Sequence, residues 1–356
     1  MAQVKKPITV TGLDIGSSKI AAVVARVDDD GSISIAARAT GEACGVARGM
    51  LIDLNDSIDS VSKVLAKLSS SCADKPGEIY VNISAKDVKG ARSIGMVPIS
   101  LRGREIARPD IENSVNAAST IHLPFDREII HKIVHSFSID DQPWIKNPLG
   151  LYASRLACQA YVITANVNHI QSICKCVNDA GYDVKDVVFT GIANGTVLID
   201  KEARESGAVL IDMGNSLTEV SVFLGGTLDS FNIAGFGSRD AGDDFRSKPR
   251  FNDIISGIVA SIQDLKAKGS KVPSVILTGG FALADGMIEF LEERLSHPVK
   301  MGALRGVRGD ISGLDSVRLA TAIGLSKYAH EKRLSSHRSA ANRIHTKVVE
   351  LFNNYF

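Results

Sequence analysis

Two short turns rich in small residues carry the residue types of a phosphate site. The first turn, residues 16–18 (GSS), follows an apolar segment at residues 8–14; the second, residues 214–216 (GNS), follows a similar segment at 208–212. Glycine lets the backbone approach a ligand closely, and successive N–H groups in a tight turn form a concavity that holds an anion. Both turns are therefore candidate phosphate-binding loops.

Side chains around these turns could complete such a site. Ser17, Ser18 and Thr218 offer hydroxyl donors, and Asp14 and Asp212 end the two apolar segments. A carboxylate is suited to hold Mg²⁺ through water rather than to touch a phosphate. Two ordinary hairpin turns, each preceded by a solvated aspartate, are the alternative interpretation. The occurrence of two matching copies in one chain favours the site.

A third glycine turn lies nearer the C-terminus. Residues 278–280 (TGG) follow a short apolar strand at 275–277 and precede a helical stretch that we expect to start near Ala282. A Gly-Gly pair between strand and helix lets a phosphate or a flat ligand lie against the backbone at a helix N-terminus. Small residues at 191–195 and 320–325 further suit close contact between helices.

The elements that must position these turns form a repeated unit. Each turn belongs to a meander of three strands, at residues 8–14, 20–27 and 32–39 in the first copy and 208–212, 218–224 and 227–233 in the second. Turn residues at the bends and two related units half a chain apart are typical of a duplicated fold. The sequence predicts an α/β protein with a cleft between the two copies.

Bulk properties exclude several classes of protein. The chain has 356 residues, enough for two domains, and its net charge of +1 gives no field for steering a polyanion, so nucleic acid is not expected as a partner. Five cysteines and the lack of a signal-like N-terminus indicate a reduced, intracellular protein. No window approaches the ~20 apolar residues that a spanning helix needs.

The last residues have a different pattern. Residues 331–342 are polar and basic and predict a mobile linker, and residues 343–356 place apolar side chains on one helical face. A helix of this length reaches only ~20 Å and cannot cross hydrocarbon of about 30 Å, so it would lie in the interface. Docking of this helix on the protein's own core is the alternative.

Several of these segments resemble known motifs. The stretches "LDIGSSK", "LIDMGNSLTEV" and "VILTGG" resemble the phosphate-1, phosphate-2 and adenosine motifs of the superfamily of actin, heat-shock chaperone ATPases and sugar kinases. Within it, residues 41–54 and 82–164 resemble the bacterial cell-division FtsA family, whose distinctive subdomain is called 1C. The fold that this resemblance implies is actin-like, with a ribonuclease H-like duplicated core, an FtsA-type 1C subdomain and a C-terminal amphipathic helix.

The resemblance also implies the site residues and the cofactors. ATP with Mg²⁺ would be bound by Asp14, Gly16, Ser17, Ser18, Lys19, Asp212, Gly214, Asn215, Ser216, Thr218, Gly279 and Gly280, with Asp14 and Asp212 holding Mg²⁺ through water. The family has a membrane-targeting sequence at its C-terminus, which implies lipid contacts for Ile344, Lys347, Val348, Leu351, Phe352, Tyr355 and Phe356.

The implied domain organisation follows the family. Its parts are 1–82 (first part of subdomain 1A), 83–164 (1C), 165–195 (second part of 1A), 196–234 (2A), 235–270 (a remnant of 2B), 271–330 (2A and return to 1A), 331–342 (linker) and 343–356 (membrane-targeting helix).

Two departures from the family pattern bear on activity. The second phosphate loop has Asn215 and Ser216 where the family has glycines, and Ser216 would hinder close approach of a γ-phosphate. Between residues 235 and 249 a short polar run stands where the family has most of subdomain 2B, and one predicted helix at 249–266 survives. We therefore expect weak or absent ATPase activity, and we assign no catalytic residue.

The resemblance implies a role in cell division. The protein would anchor the FtsZ ring to the inner face of the cytoplasmic membrane as a peripheral protein and help to assemble the divisome, with actin-like polymerisation. Its partners would be FtsZ, other copies of itself, further divisome proteins through 1C, and membrane lipid. The shortened 2B makes FtsZ binding the less secure of these. The alternatives are a kinase or ATPase of the same superfamily and a membrane scaffold that has lost FtsZ binding.

Overall fold

The chain folds into two compact units. The computed structural model describes residues 9–27, 32–72, 76–242, 244–271, 273–309, 311 and 313–341. The larger unit comprises the described residues up to Asp87 together with Asn168–His330; the smaller unit comprises Val88–Val167 and the described residues from Glu331 onward.

Strands make up much of both units. In chain order they are β1 Thr9–Ile15, β2 Lys19–Val27, β3 Ile33–Glu42, β4 Val46–Ala47, β5 Met50–Leu51, β6 Glu78–Ile83, β7 Lys89–Pro98, β8 Arg104–Glu105, β9 Arg127–Ile139, β10 Gln142–Ile145, β11 Tyr152–Ala153, β12 Arg155–Asn166, β13 Val184–Phe189, β14 Ala208–Met213, β15 Thr218–Leu224, β16 Thr227–Ala234, β17 Ser274–Thr278, β18 Val299–Met301 and β19 Val307–Arg308.

The helices are placed between these strands. They are α1 Leu54–Ser70, α2 Arg108–Ser119, α3 Val167–Asp179, α4 Thr190–Leu198, α5 Lys201–Ser206, α6 Ser238–Ala241, α7 Pro249–Ala267, α8 Met287–Leu295, α9 Leu314–Arg318 and α10 Ala320–Ala341, with a 3-10 turn at Gly280–Leu283.

Two sheets of the larger unit repeat one topology. In the first, β1, β2 and β3 form an antiparallel meander, β6 pairs parallel with β1, and β13 pairs parallel with β6. In the second, β14, β15 and β16 form the meander, β17 pairs parallel with β14, and β18 pairs parallel with β17. This repetition confirms the predicted duplicated α/β fold.

The central strands are apolar because both of their faces are covered. Val209, Leu210 and Ile211 of β14 are buried, and so is all of β1 after Thr9. Strands buried on both sides read as continuous apolar runs rather than alternating ones. The turns that follow β1 and β14 are thus carried by the most deeply buried strands of their sheets.

Small residues let α10 lie directly against the neighbouring backbone. A Cβ added at Gly12 of β1 would lie 1.9 Å from the carbonyl oxygen of Ala322, and one added at Gly324 would lie 2.2 Å from that of Ala193. Both distances are far below van der Waals contact. The close helix contact predicted from residues 191–195 and 320–325 is confirmed.

Aromatic rings fill the core between α7, α8 and the second sheet. Phe251 is fully buried, and its ring centroid lies 5.4 Å from that of Phe236, 5.5 Å from Phe245 and 5.8 Å from Phe290. We call these four rings, together with Phe281, the aromatic cluster. The short run at residues 235–249 contributes two of the rings, and it leads into α7 at the predicted place.

The smaller unit is built around an antiparallel sheet of order β10-β9-β12-β7. Helix α2 contacts β7 and β12, and Ile111, Val115 and Phe137 are buried in the core of this unit. Asp110, in the first turn of the helix, accepts a bond from the Ala107 N–H at 2.8 Å and two bonds from the Arg104 guanidinium at 2.7 and 2.8 Å. These contacts fix the α2 N-terminus because they satisfy otherwise unpaired groups there.

Helix α10 corrects one expectation. Residues 331–341, predicted as part of a mobile linker at 331–342, continue the helix that begins at Ala320. The stretch 325–341 has neither glycine nor proline and contains Ala, Leu, Glu, Lys and Arg, so it favours a helix despite its polarity. The predicted amphipathic helix at 343–356 lies outside the described residues. Among the described helices, none is long and apolar enough to cross a bilayer.

Candidate functional site

A cavity of about 500 Å³ opens in the larger unit where the three glycine turns meet. Of the residues predicted for the site, it is lined by Asp14, Gly16, Ser17, Ser18, Lys19, Asp212, Gly214, Asn215, Ser216, Gly279 and Gly280. Turns that are distant in sequence are thus brought together because each follows a strand at the same end of the duplicated fold. Ligand pockets commonly have volumes of about 300–1,000 Å³.

The first turn is closed by its own backbone. The Gly16 N–H donates to the Lys19 carbonyl at 3.0 Å, and the Lys19 ammonium donates to the Asp14 carboxylate at 2.8 Å. The Ile15 N–H donates to the Asn82 side chain at 2.7 Å, which fixes the end of β1. Asp14 is therefore a paired carboxylate that still lines the cavity.

The second turn has the same closing hydrogen bond as the first, and a later segment of the chain lies over it. The Gly214 N–H donates to the Leu217 carbonyl at 2.9 Å, as in the first turn. The N–H groups of Ser238 and Arg239 donate to the carbonyls of Gly214 and Asn215 at 3.1 and 2.8 Å. The short run at 235–249 therefore covers the second turn, and Ser238 itself lines the cavity.

The third turn requires glycine at position 279. Gly279 has a φ of 93°, and a Cβ there would lie 2.3 Å from the Met213 carbonyl oxygen and 2.4 Å from Asp212 Oδ1. The backbone can approach the end of β14 only without a side chain. The helix expected near Ala282 is a 3-10 turn, and the α-helix begins later, at Met287.

Thr218 differs from the other predicted residues. Its side chain is fully buried, and its hydroxyl donates to the Phe236 carbonyl at 2.8 Å. The hydroxyl proton is thus already used inside the protein. Thr218 therefore stabilises the second turn from the protein interior, whereas the sequence predicted it as a donor to the ligand.

Two carboxyl groups lie beneath the second turn, and the sequence predicted only one of them. Asp212 accepts a bond from the Asn194 amide at 2.8 Å, and removal from bulk water together with the charge of Asp14 raises its pKa to about 6. Glu219 accepts bonds from the Ser84 and Ser221 hydroxyls at 2.8 and 3.1 Å. Burial, reinforced by Asp212, raises the pKa of Glu219 to about 8.

Sequence reasoning missed Glu219, Asn194 and Ser84. A signal for Glu219 was present, since it is a lone acidic residue inside the apolar strand β15, where a charge has no solvent. Asn194 and Ser84 come from α4 and from the end of β6, and no local pattern marks them as partners of these carboxyls.

The buried Glu219 makes stability depend on pH. Between about pH 5 and pH 8 the unfolded chain releases this proton while the folded protein keeps it, so stability falls as pH rises through that window. We expect Glu219→Gln to remove this dependence on pH. Its free energy of unfolding relative to that of the parent should therefore increase by about 1–3 kcal/mol from pH 5 to pH 8. Urea unfolding at the two pH values measures the difference.

The exposed Glu293 provides the matched control for that measurement. Glu293→Gln makes the same substitution at an exposed position of α8, and the parent's pH dependence of stability should be retained. An unchanged slope in Glu219→Gln would show that the Glu219 carboxyl is ionised in the folded protein.

Comparison with known proteins points to one family along nearly the whole chain. A family model described as "SHS2 domain inserted in FTSA" matches residues 85–164. The "Cell division protein FtsA" of Borreliella burgdorferi is 28% identical over 405 aligned residues, which cover 96% of this chain and 98% of that protein. The protein of the same name from Escherichia coli K12 is 24% identical over 400 residues, with 95% and 94% covered.

A solved structure shares the fold. The chain superimposes on a chain of the "PilM-PilN type IV pilus biogenesis complex" with a TM-score of 0.63 and 14% identity, covering 90% of this chain and 98% of that one. At this level of identity the likeness concerns the fold alone. The sequence alignments with the two relatives have 405 and 400 positions against 356 residues here, so those relatives contain residues that this chain lacks.

Proposed function

This chain belongs to the FtsA family of actin-like proteins, and from that premise we propose that it holds the FtsZ polymer at the inner face of the cytoplasmic membrane during cell division. The observation that carries the proposal is the inserted domain. The family model matches residues 85–164, and the smaller unit contains Val88–Val167. The predicted subdomain boundaries, self-association and contacts with other divisome proteins through 1C are parts of the same proposal.

The cleft is proposed to bind a nucleoside phosphate, with ATP as the first candidate. Two turns with the same closing hydrogen bond, a glycine that admits no side chain at 279 and a cavity of about 500 Å³ support this assignment. Asp14 and Asp212 both line the cavity and suit Mg²⁺ held through water. The metal would neutralise phosphate charge, while the turns supply backbone donors. Within the described residues, no group of three or more potential metal ligands forms a direct metal site.

Membrane attachment is proposed for residues 343–356. We expect the full chain to co-sediment with anionic phospholipid vesicles and a chain ending at Ala341 to stay in the supernatant. Leu351→Glu should weaken vesicle binding about tenfold or more, because it replaces an apolar side chain on the predicted apolar face with a carboxylate. Asn354→Glu adds the same charge on the predicted polar face and should weaken binding much less. Equal sedimentation of the truncated chain would refute the tether.

FtsZ capture separates the adaptor from a membrane scaffold. Vesicles carrying the full chain should retain FtsZ, and a peptide of the FtsZ C-terminal tail should compete for that retention. Vesicle binding without FtsZ retention would identify the protein as a scaffold that has lost the polymer contact. The shortened run at 235–249 makes this the decisive experiment, since the family resemblance implies that subdomain 2B receives the FtsZ tail.

A further inference from the structure

The hairpin of β4 and β5 carries an arginine in an unusual backbone conformation. Val46 pairs with Leu51 and Ala47 with Met50, so Arg48 and Gly49 form a two-residue turn. Their φ angles are 51° and 78°, both in the left-handed region. Glycine, asparagine and aspartate are the usual residues at the first of these positions, because a longer side chain is disfavoured there. Residues held in such a conformation cluster at functional sites.

This turn bridges the first two glycine turns of the cleft. The Arg48 N–H donates to the Ser216 hydroxyl oxygen and the Gly49 N–H to the Ser17 hydroxyl oxygen, each at 3.2 Å. The Gly49 carbonyl accepts a bond from His169 at 3.0 Å. A Cβ at Gly49 would lie 1.8 Å from the Ser84 carbonyl oxygen, so the tip is fixed at the cavity wall.

The Arg48 side chain is less firmly held than its backbone. Its guanidinium lies 3.6 Å from an Asp240 oxygen, and it is 55% exposed. That distance is too long for a hydrogen bond, and exposed ion pairs of this kind contribute little. Asp240 belongs to α6, whose first residue, Ser238, lines the cavity. The guanidinium therefore has a weak partner, and the residue next to Arg48 in the chain, Gly49, lies at the cavity wall.

We propose that Arg48 is a specificity-determining residue of the cleft. When a nucleoside triphosphate is bound, its guanidinium leaves Asp240 and binds the distal phosphate. This inference rests on the proposed nucleotide binding. A phosphate accepts two parallel bonds from guanidinium and carries more charge than a carboxylate, so it outcompetes Asp240. Lys19 and Arg318 line the cavity, as does Gly49 next to Arg48, but Lys19 is paired with Asp14. Arg48 differs from both because its backbone is bonded to the second turn.

Calorimetric titration of the full chain with Mg²⁺ and either ADP or a non-hydrolysable ATP analogue tests the proposal. Arg48→Gln should lower affinity for the triphosphate about tenfold and leave affinity for ADP within about twofold. Asp240→Asn keeps an oxygen for the Gly237 N–H but frees Arg48, so it should raise triphosphate affinity about two- to fivefold. If the ion pair only stabilised the fold, both substitutions would change triphosphate affinity in the same direction. Opposite changes show that Arg48 recognises the ligand.

Two further variants complete the design. Arg305 pairs with Asp200 at 3.4 Å and is 52% exposed, so Arg305→Gln removes a comparable pair and should leave both affinities unchanged. Arg48→Asn suits the left-handed conformation, and it should raise the melting temperature while still losing the triphosphate preference. Such a combination cannot arise from a purely structural role.

Three results would overturn the proposal. Equal affinities of the parent and Arg48→Gln for the triphosphate analogue would refute it alone, with nucleotide binding retained. A triphosphate affinity lowered by Asp240→Asn would also refute it, because Asp240 would then assist the ligand. Binding of neither nucleotide by the parent would refute it together with the proposed nucleotide site.

Discussion

Gly12→Val is expected to prevent the larger unit from reaching its native structure. The first side-chain atom would lie 1.9 Å from the Ala322 carbonyl oxygen and 2.9 Å from its carbonyl carbon, and both belong to backbone. Strand β1 and helix α10 would have to separate, since no flexible side chain can give way. Overpacking a core typically costs about 1–3 kcal/mol, and a clash with backbone in the central strand should exceed that range. Domains have only ~5–15 kcal/mol of total stability.

Circular dichroism and thermal unfolding of the purified chain measure this effect. Gly257→Ala is the control, because Gly257 lies within α7 and an added Cβ meets nothing within 4 Å. It should stabilise the protein by about 0.5–1 kcal/mol through helix propensity. Native melting behaviour in Gly12→Val would mean that the β1–α10 contact is not as close as described.

Phe251→Ala should be the most damaging single truncation in the aromatic cluster. Phe251 is fully buried and lies within 6.4 Å, centroid to centroid, of Phe236, Phe245, Phe281 and Phe290. Removing its ring leaves a cavity bounded by four rings that cannot collapse together, and such truncations cost about 3–5 kcal/mol. Because Phe236 accepts the Thr218 bond, we also expect faster hydrogen exchange at residues 214–218.

Urea denaturation and hydrogen exchange test this expectation, and Phe125→Ala is its control. Phe125 is fully exposed, so its truncation should change the free energy of unfolding by less than about 0.5 kcal/mol. If Phe251→Ala lowered the free energy of unfolding no more than Phe125→Ala, the aromatic cluster would not be the core of this region.

The sequence predicted the features that depend on local chemistry. A glycine turn after an apolar strand specifies its own geometry, and this is why the turns after β1 and β14 could be found and matched to one another. The covering of the second turn by Ser238 and Arg239 could not be predicted, since it depends on where a polar run with no periodicity folds back. The aromatic cluster explains that placement, because Phe236 and Phe245 fix both ends of the run.

Other failures have the same physical origin. Thr218 was predicted from its proximity to the second turn, but alternate residues of a strand face opposite sides, and this one faces the protein interior. The linker was predicted from polarity, although helix propensity is set by residue type and by the lack of glycine and proline. Arg48 lies in the segment 41–54 that resembles the FtsA family, but its role was not predicted, because its contacts join segments more than a hundred residues apart.

The short run at 235–249 limits where this chain could gain or lose residues. Phe236 is buried at one end and Phe245 at the other, and the N–H groups of Ser238 and Arg239 donate to carbonyls of the second turn. An insertion before Ala241 would pull on that turn, whereas Gly242 lies in open surroundings: among the described residues, a Cβ added there would meet the Lys248 ammonium alone, 3.8 Å away. A loop taken from a longer relative could therefore be inserted at Gly242, where it would leave the buried Phe236 and Phe245 in place.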